Sequence, residues 1–104
     1  MIRVTVSYPA AADNRFDHGY YHSQHRALLE RLLGAHGLER VEMDQCLADG
    51  AGGTPPIVAS AHLIFDAMAG FQAGMAAHGK AIMGDIPNYT DLTPIIQVSE
   101  VVVG

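Results

Sequence analysis

The chain has 104 residues, enough for one domain built on one core. Hydrophobic residues make up 49% and charged residues 16%, a balance that excludes a disordered chain. A net charge of -5, with five scattered arginines and one lysine, leaves no basic footprint for nucleic acid or an anionic membrane, and no apolar run approaches the ~20 residues that span a bilayer.

Residues 1–8 alternate, with Ile2, Val4, Val6 and Tyr8 against Arg3, Thr5 and Ser7, and predict a strand with one apolar face. Pro9 stops it. Asp17 is a natural N-cap, with Phe16 before it as a staple residue. A helix follows to Leu33 or Ala35. Tyr21, Leu28, Leu29, Leu32 and Leu33 form its apolar stripe, and Gly34 and Gly37 end it. Residues 38–47 predict a second strand and 57–65 a third, joined by a loop rich in glycine and proline. Asp66 caps a second helix running to His78, with Phe71 and Met75 one turn apart and Gly79 as its stop. Gly70 and Gly74 weaken that helix but permit close packing. Residues 80–91 connect to a last strand over 92–103.

The order strand, helix, strand, strand, helix, strand is that of an α+β split βαβ. It implies a ferredoxin-like four-stranded antiparallel sheet, both helices on one face, as a single domain over residues 1–104. The other sheet face is then bare, and a second copy is its simplest cover, which predicts a homodimer with sheets packed face to face. The first strand lacks the apolar core of an export signal, and the lone Cys46 has no disulfide partner, so a reducing cytoplasm is the expected location.

Phe16-Asp17-x-x-Tyr20-Tyr21-x-x-x-His25-x-x-Leu28 resembles the first-helix signature of the EthD family, named for ethyl tert-butyl ether degradation, within the dimeric α+β barrel superfamily. Gly84-Asp85-Ile86-Pro87-Asn88-Tyr89-Thr90-Asp91, then Pro94 and Val98-x-Glu100-Val101, is similar to a second family stretch, and Ile2-x-Val4-x-Val6-x-Tyr8-Pro9 to the opening strand. The pattern usually carries proline two places after the histidine. Here that place is Ala27, which predicts a straighter helix. The resemblance implies a pocket for a small apolar or aromatic compound, handled without a cofactor. Related barrels include small monooxygenases, decarboxylases, dehalogenase-like enzymes and lactone isomerases. A non-catalytic protein that only binds such a ligand in a degradation pathway is the alternative.

The histidines sort by place. His36 and His78 each stand in an Ala-His-Gly tripeptide and read as helix ends. His62 lies mid-strand on a polar face with Ser60, suited to the interface between sheets. His18, His22 and His25, spaced i, i+4 and i+7, share one helix face and have two readings, packed histidines at a core rim or a zinc or nickel site. His25 stands apart because the resemblance implies a role for it and the helical wheel turns it inward. A neutral imidazole there can take a proton near pH 7 and return it. Tyr21, one turn earlier, is its candidate polar partner, while Tyr20 faces the other way, towards an interface. His22, Leu28, Leu29, Leu32, Phe71, Met75 and Asn88 complete the expected pocket.

Overall fold

The computed structural model describes residues 1–104. Its strands are β1 (Ile2–Pro9), β2 (Leu38–Gln45), β3 (Ile57–Phe65) and β4 (Ile95–Glu100). They form one antiparallel sheet in the order β2-β3-β1-β4, the ferredoxin-like arrangement. The first helix, α1, occupies residues 18–33 and passes into a 3₁₀ turn at Gly34–His36. The second, α2, is Met68–Asp85, followed by a 3₁₀ turn at Ile86–Asn88. No helix is long and apolar enough to cross a membrane.

Register puts like with like. Val4 pairs with Leu63 and Val98, and Val6 with Ala61 and Ile96, so one sheet face is apolar and meets Leu29 and Leu33 of α1 and Ile82 of α2. On the opposite face Thr5 pairs with His62 and Gln97, and Glu42 with His62, leaving that side polar and without a layer over it in the chain. Hydrophobic burial on one face thus fixes every side chain's direction through the two-residue period.

Four expectations give way. The first helix is not regular, because Tyr21–His25 forms a π-helical turn in which the Arg26 amide reaches back to the Tyr21 carbonyl. The wider turn keeps Tyr21, His25, Leu29 and Leu33 all buried, where a uniform α-helix would let residues four apart drift round the axis. The second helix runs past Gly79 and His78 to Asp85. One glycine costs about 1 kcal/mol, less than the roughly 1.5–3 kcal/mol gained by burying a side chain such as Ile82. Asp66 does not cap that helix. Ala67 holds the N-cap place without a side-chain bond, and the Asp66 amide donates to the Gly37 carbonyl instead. The last strand is shorter than its apolar run, with Val102 and Val103 beyond it and 84% and 89% exposed.

Gly37, at φ +88°, supplies the left-handed stop after α1. Gly70 and Gly74 let α2 lie directly on the end of α1. A Cβ on Gly70 would come 2.2 Å from the His36 carbonyl oxygen, and one on Gly74 would come 2.8 Å from Leu33 Cδ2. Gly70→Ala therefore lowers stability by roughly 1–3 kcal/mol despite its better helix propensity. Thermal unfolding measures this, and a raised Tm would contradict the close crossing.

Candidate functional site

A cavity of about 50 Å³ lies between the sheet and the helices. Val4, Val6 and Leu63 wall it from the sheet, Leu29 and Leu33 from α1, and Phe71 and Met75 from α2. Met83 and Ile96 also border it and are 42% and 43% exposed, which puts them at its mouth. Only three wall residues carry polar side-chain atoms, Tyr8, Tyr21 and His25, and all three are buried. This volume holds water-sized guests, whereas benzene needs about 150 Å³. An aromatic ligand has to displace flexible Met83 at the mouth or Met75 in the wall.

His25 is held on both sides. Its Nδ1 lies 2.8 Å from Asp85 Oδ2, and its Nε2 lies 3.4 Å from the Tyr89 hydroxyl. Tyr89 is fully buried, and its hydroxyl is 2.5 Å from that of Tyr8. Asp85 Oδ1 accepts from the Tyr20 hydroxyl at 2.6 Å and from Asn88 Nδ2 at 3.0 Å. The turn carrying Tyr89 is laced to the start of α1. The Asp17 amide donates to the Tyr89 carbonyl at 2.7 Å, Thr90 Oγ1 donates to the Arg15 carbonyl at 2.6 Å, and Arg15 donates to the Pro87 carbonyl at 2.8 Å. The α1 N-terminus is itself capped by Asp17, whose side chain accepts from the Tyr20 amide. The Tyr20–Tyr21–His25 segment and the Asp85–Asn88–Tyr89 segment thus meet as one unit.

The charges follow from these contacts. Burial pushes the His25 imidazole below its ordinary range and outweighs the opposing pull of Asp85. Burial also raises the Asp85 carboxyl, but hydrogen bonds from Tyr20, Asn88 and His25 outweigh it and hold the group ionised, below the usual carboxylate range. Burial pushes the Tyr8, Tyr21 and Tyr89 hydroxyls upward, so they stay protonated. The Tyr21 hydroxyl is buried with no hydrogen-bond partner.

Of the residues expected at the pocket, the cavity brings together His25, Tyr21, Leu29, Phe71 and Met75. His22 is exposed, since the π-turn points it outward. Leu28 lines a separate outer groove with Tyr20, Arg31 and Asp85, and Leu32 packs at the core edge. Asn88 is exposed and serves Asp85. His18 packs against Phe16 with the rings tilted, and no group of three metal-ligating side chains forms from His18, His22 and His25 or elsewhere. His78 lies within α2, not at its end, with its ring 5.5 Å from that of His36. Tyr20, on the far side of the helix from the stripe, donates its hydroxyl to Asp85. Spacing alone does not give Tyr8 or Tyr89 a place in the site. Asp85 has two signals in the sequence, a polar turn with Asn88 and Thr90 suited to edge a pocket mouth, and the family-like stretch that also holds Tyr89.

Residues 10–93 match the family model of the EthD domain. An EthD-like protein from Ralstonia eutropha is 42% identical, with a TM-score of 0.92 over 98% of this chain and 92% of that one. An EthD family protein from Bacillus halodurans, 17% identical, covers 96% and 97% with a TM-score of 0.65. A DABB family protein with a ferredoxin-like fold from Mesorhizobium loti, 13% identical, covers 95% and 94% with a TM-score of 0.59. No curated protein matches the chain.

The pH dependence of stability has a definite sign. Folding lowers the His25 pKa, so below about pH 6.5 the unfolded chain takes up the proton first. Stability falls as pH drops from about 6.5 through the folded pKa. The depressed Asp85 acts lower, below about pH 4. His18 is shifted the same way as His25, chiefly by burial, and carries part of the slope. His25→Asn makes the stability change between pH 5 and 7 shallower in urea unfolding, and an unchanged slope would contradict the burial of this imidazole.

Proposed function

The chain belongs to the EthD family, and from that premise we propose that it binds a small apolar or aromatic metabolite in the cavity, with His25 as the acid-base group and no cofactor. One observation carries this reading. An apolar cavity holds a neutral imidazole fixed by a carboxylate, beside a buried hydroxyl with nothing bonded to it. An unpaired buried hydroxyl costs about 1–3 kcal/mol, a cost that a ligand oxygen bonded to Tyr21 removes. The ionised Asp85 holds the His25 ring in one tautomer and stabilises the imidazolium once His25 has taken a proton. The binding-only alternative is favoured by the lack of any carboxylic acid in the cavity wall.

Turnover of phenols, lactones and quinones, screened with wild type and His25→Ala, separates the two. Catalysis predicts a rate loss of roughly 10²–10⁴-fold in the variant, while binding without product in wild type supports the alternative. Tyr21→Phe weakens ligand binding about five- to tenfold, the worth of one hydrogen bond near 1 kcal/mol, without lowering stability. A destabilised Tyr21→Phe with unchanged affinity would contradict the role given to that hydroxyl.

The uncovered sheet face suits a second copy. Arg3 and His62 lie beside Glu42 and Asp44 on it, with His62 Nε2 3.0 Å from Asp44 Oδ2. A two-fold axis brings the same patch of each copy together, so a residue of one copy can meet a different residue of the other. Light scattering is expected to give twice the chain mass, and Arg3→Glu to shift the protein towards monomer. A wild-type monomer at micromolar concentration would refute the dimer.

A further inference from the structure

The hydrogen bonds around His25 have a direction. Asp85 is ionised and has no proton to give, so His25 Nδ1 carries the hydrogen between them. A neutral imidazole has one N–H, so Nε2 offers only a lone pair. The Tyr89 hydroxyl, 3.4 Å away, must donate to it. A hydroxyl has one hydrogen, so Tyr89 has none left for Tyr8, and the Tyr8 hydroxyl donates to Tyr89 across 2.5 Å. Every hydrogen in the array points towards Asp85. At the far end stands Tyr8, a cavity-wall residue whose own hydrogen is committed and whose oxygen still has a lone pair to offer. Tyr89 is not itself in the wall; it links two residues that are, Tyr8 and His25.

Whatever binds at Tyr8 therefore has to donate. We propose that Tyr8 and Tyr89 relay a proton from the ligand to His25, and that the ligand is a weakly acidic hydroxyl compound on an apolar frame, a phenol or an enol. This rests on the reading of the cavity as the binding site. The step balances. The ligand hydrogen passes to the Tyr8 oxygen as the Tyr8 hydrogen passes to Tyr89 and the Tyr89 hydrogen passes to His25 Nε2. The products are the ligand oxyanion and a His25 imidazolium paired with the Asp85 carboxylate, and both tyrosines are unchanged. The reverse movement returns the proton. The charge created on His25 meets the one carboxylate already oriented towards it, while the oxyanion has the uncommitted Tyr21 hydroxyl in the same wall. The 3.4 Å gap is the link that must shorten for transfer.

4-Nitrophenol reports its own ionisation in its visible spectrum and is the probe. It is titrated with wild type, Tyr89→Phe and Tyr8→Phe, each checked by circular dichroism, at a pH where the free phenol is mostly neutral. Each variant removes one oxygen and keeps the ring, so either one that folds suffices. The relay predicts that wild type binds the probe as phenolate. A folded variant still binds it, but in stopped-flow mixing the bound probe ionises roughly tenfold or more slowly than in wild type. A probe bound neutral by wild type, a variant that ionises it as fast, or a variant that folds but no longer binds it overturns the relay while leaving the cavity as a binding site. No binding to wild type overturns both the relay and the cavity reading for this ligand class.

Discussion

The site depends on one hydrogen bond, from His25 Nδ1 to Asp85 Oδ2. A carboxylate at the last residue of a long helix faces the negative end of the helix dipole, where it is disfavoured by about 0.3–1 kcal/mol. Asp85 is nonetheless ionised, because three donors, from Tyr20, Asn88 and His25, converge on it. That is a poor arrangement for stabilising a helix and a good one for orienting an imidazole. With Nδ1 engaged, Nε2 is left as an acceptor facing the tyrosine hydroxyls.

The fold is bent to keep this bond. The π-turn at Tyr21–His25 holds both side chains inward, and the lacing of Arg15, Asp17, Tyr89 and Thr90 fixes the turn that follows Asp85. The sheet contributes less chemistry and more exclusion of water. Val4, Val6 and Leu63 supply a dry wall in which a single unpaired hydroxyl or a single imidazole has a large effect. Tyr21 is the exception to an otherwise satisfied aromatic cluster. The Tyr8 and Tyr89 hydroxyls bond to each other, while the Tyr21 hydroxyl has no partner.

Local pattern carried much of this. The alternation in β1 and the element order led to the correct sheet, because a period of two leaves little freedom once one face is buried. His25 and Tyr21 were visible as polar and aromatic groups on a leucine stripe. The pairing of His25 with Asp85 was not, since the two lie sixty positions apart, and Tyr8 and Tyr89 lie eighty-one apart. Such pairs follow from where the second helix ends, and Gly79 marked that end too early. The π-turn was also hidden. It arises from the need to bury four residues at once, which no single propensity encodes, and it is why His22 and Leu28 left the pocket that their spacing assigned them.

His25 is neutral, protonated on Nδ1 and open at Nε2. Nitrogen-15 NMR of the histidine side chains at neutral pH reads this directly, with His25→Asn identifying the resonance. The bond to Asp85 requires an Nδ1–H tautomer, with Nε2 showing the shift of a hydrogen-bond acceptor. In Asp85→Asn that preference is lost. A neutral ring protonated on Nε2, or an imidazolium at neutral pH, would contradict both the role of Asp85 and the direction of every hydrogen bond drawn from it.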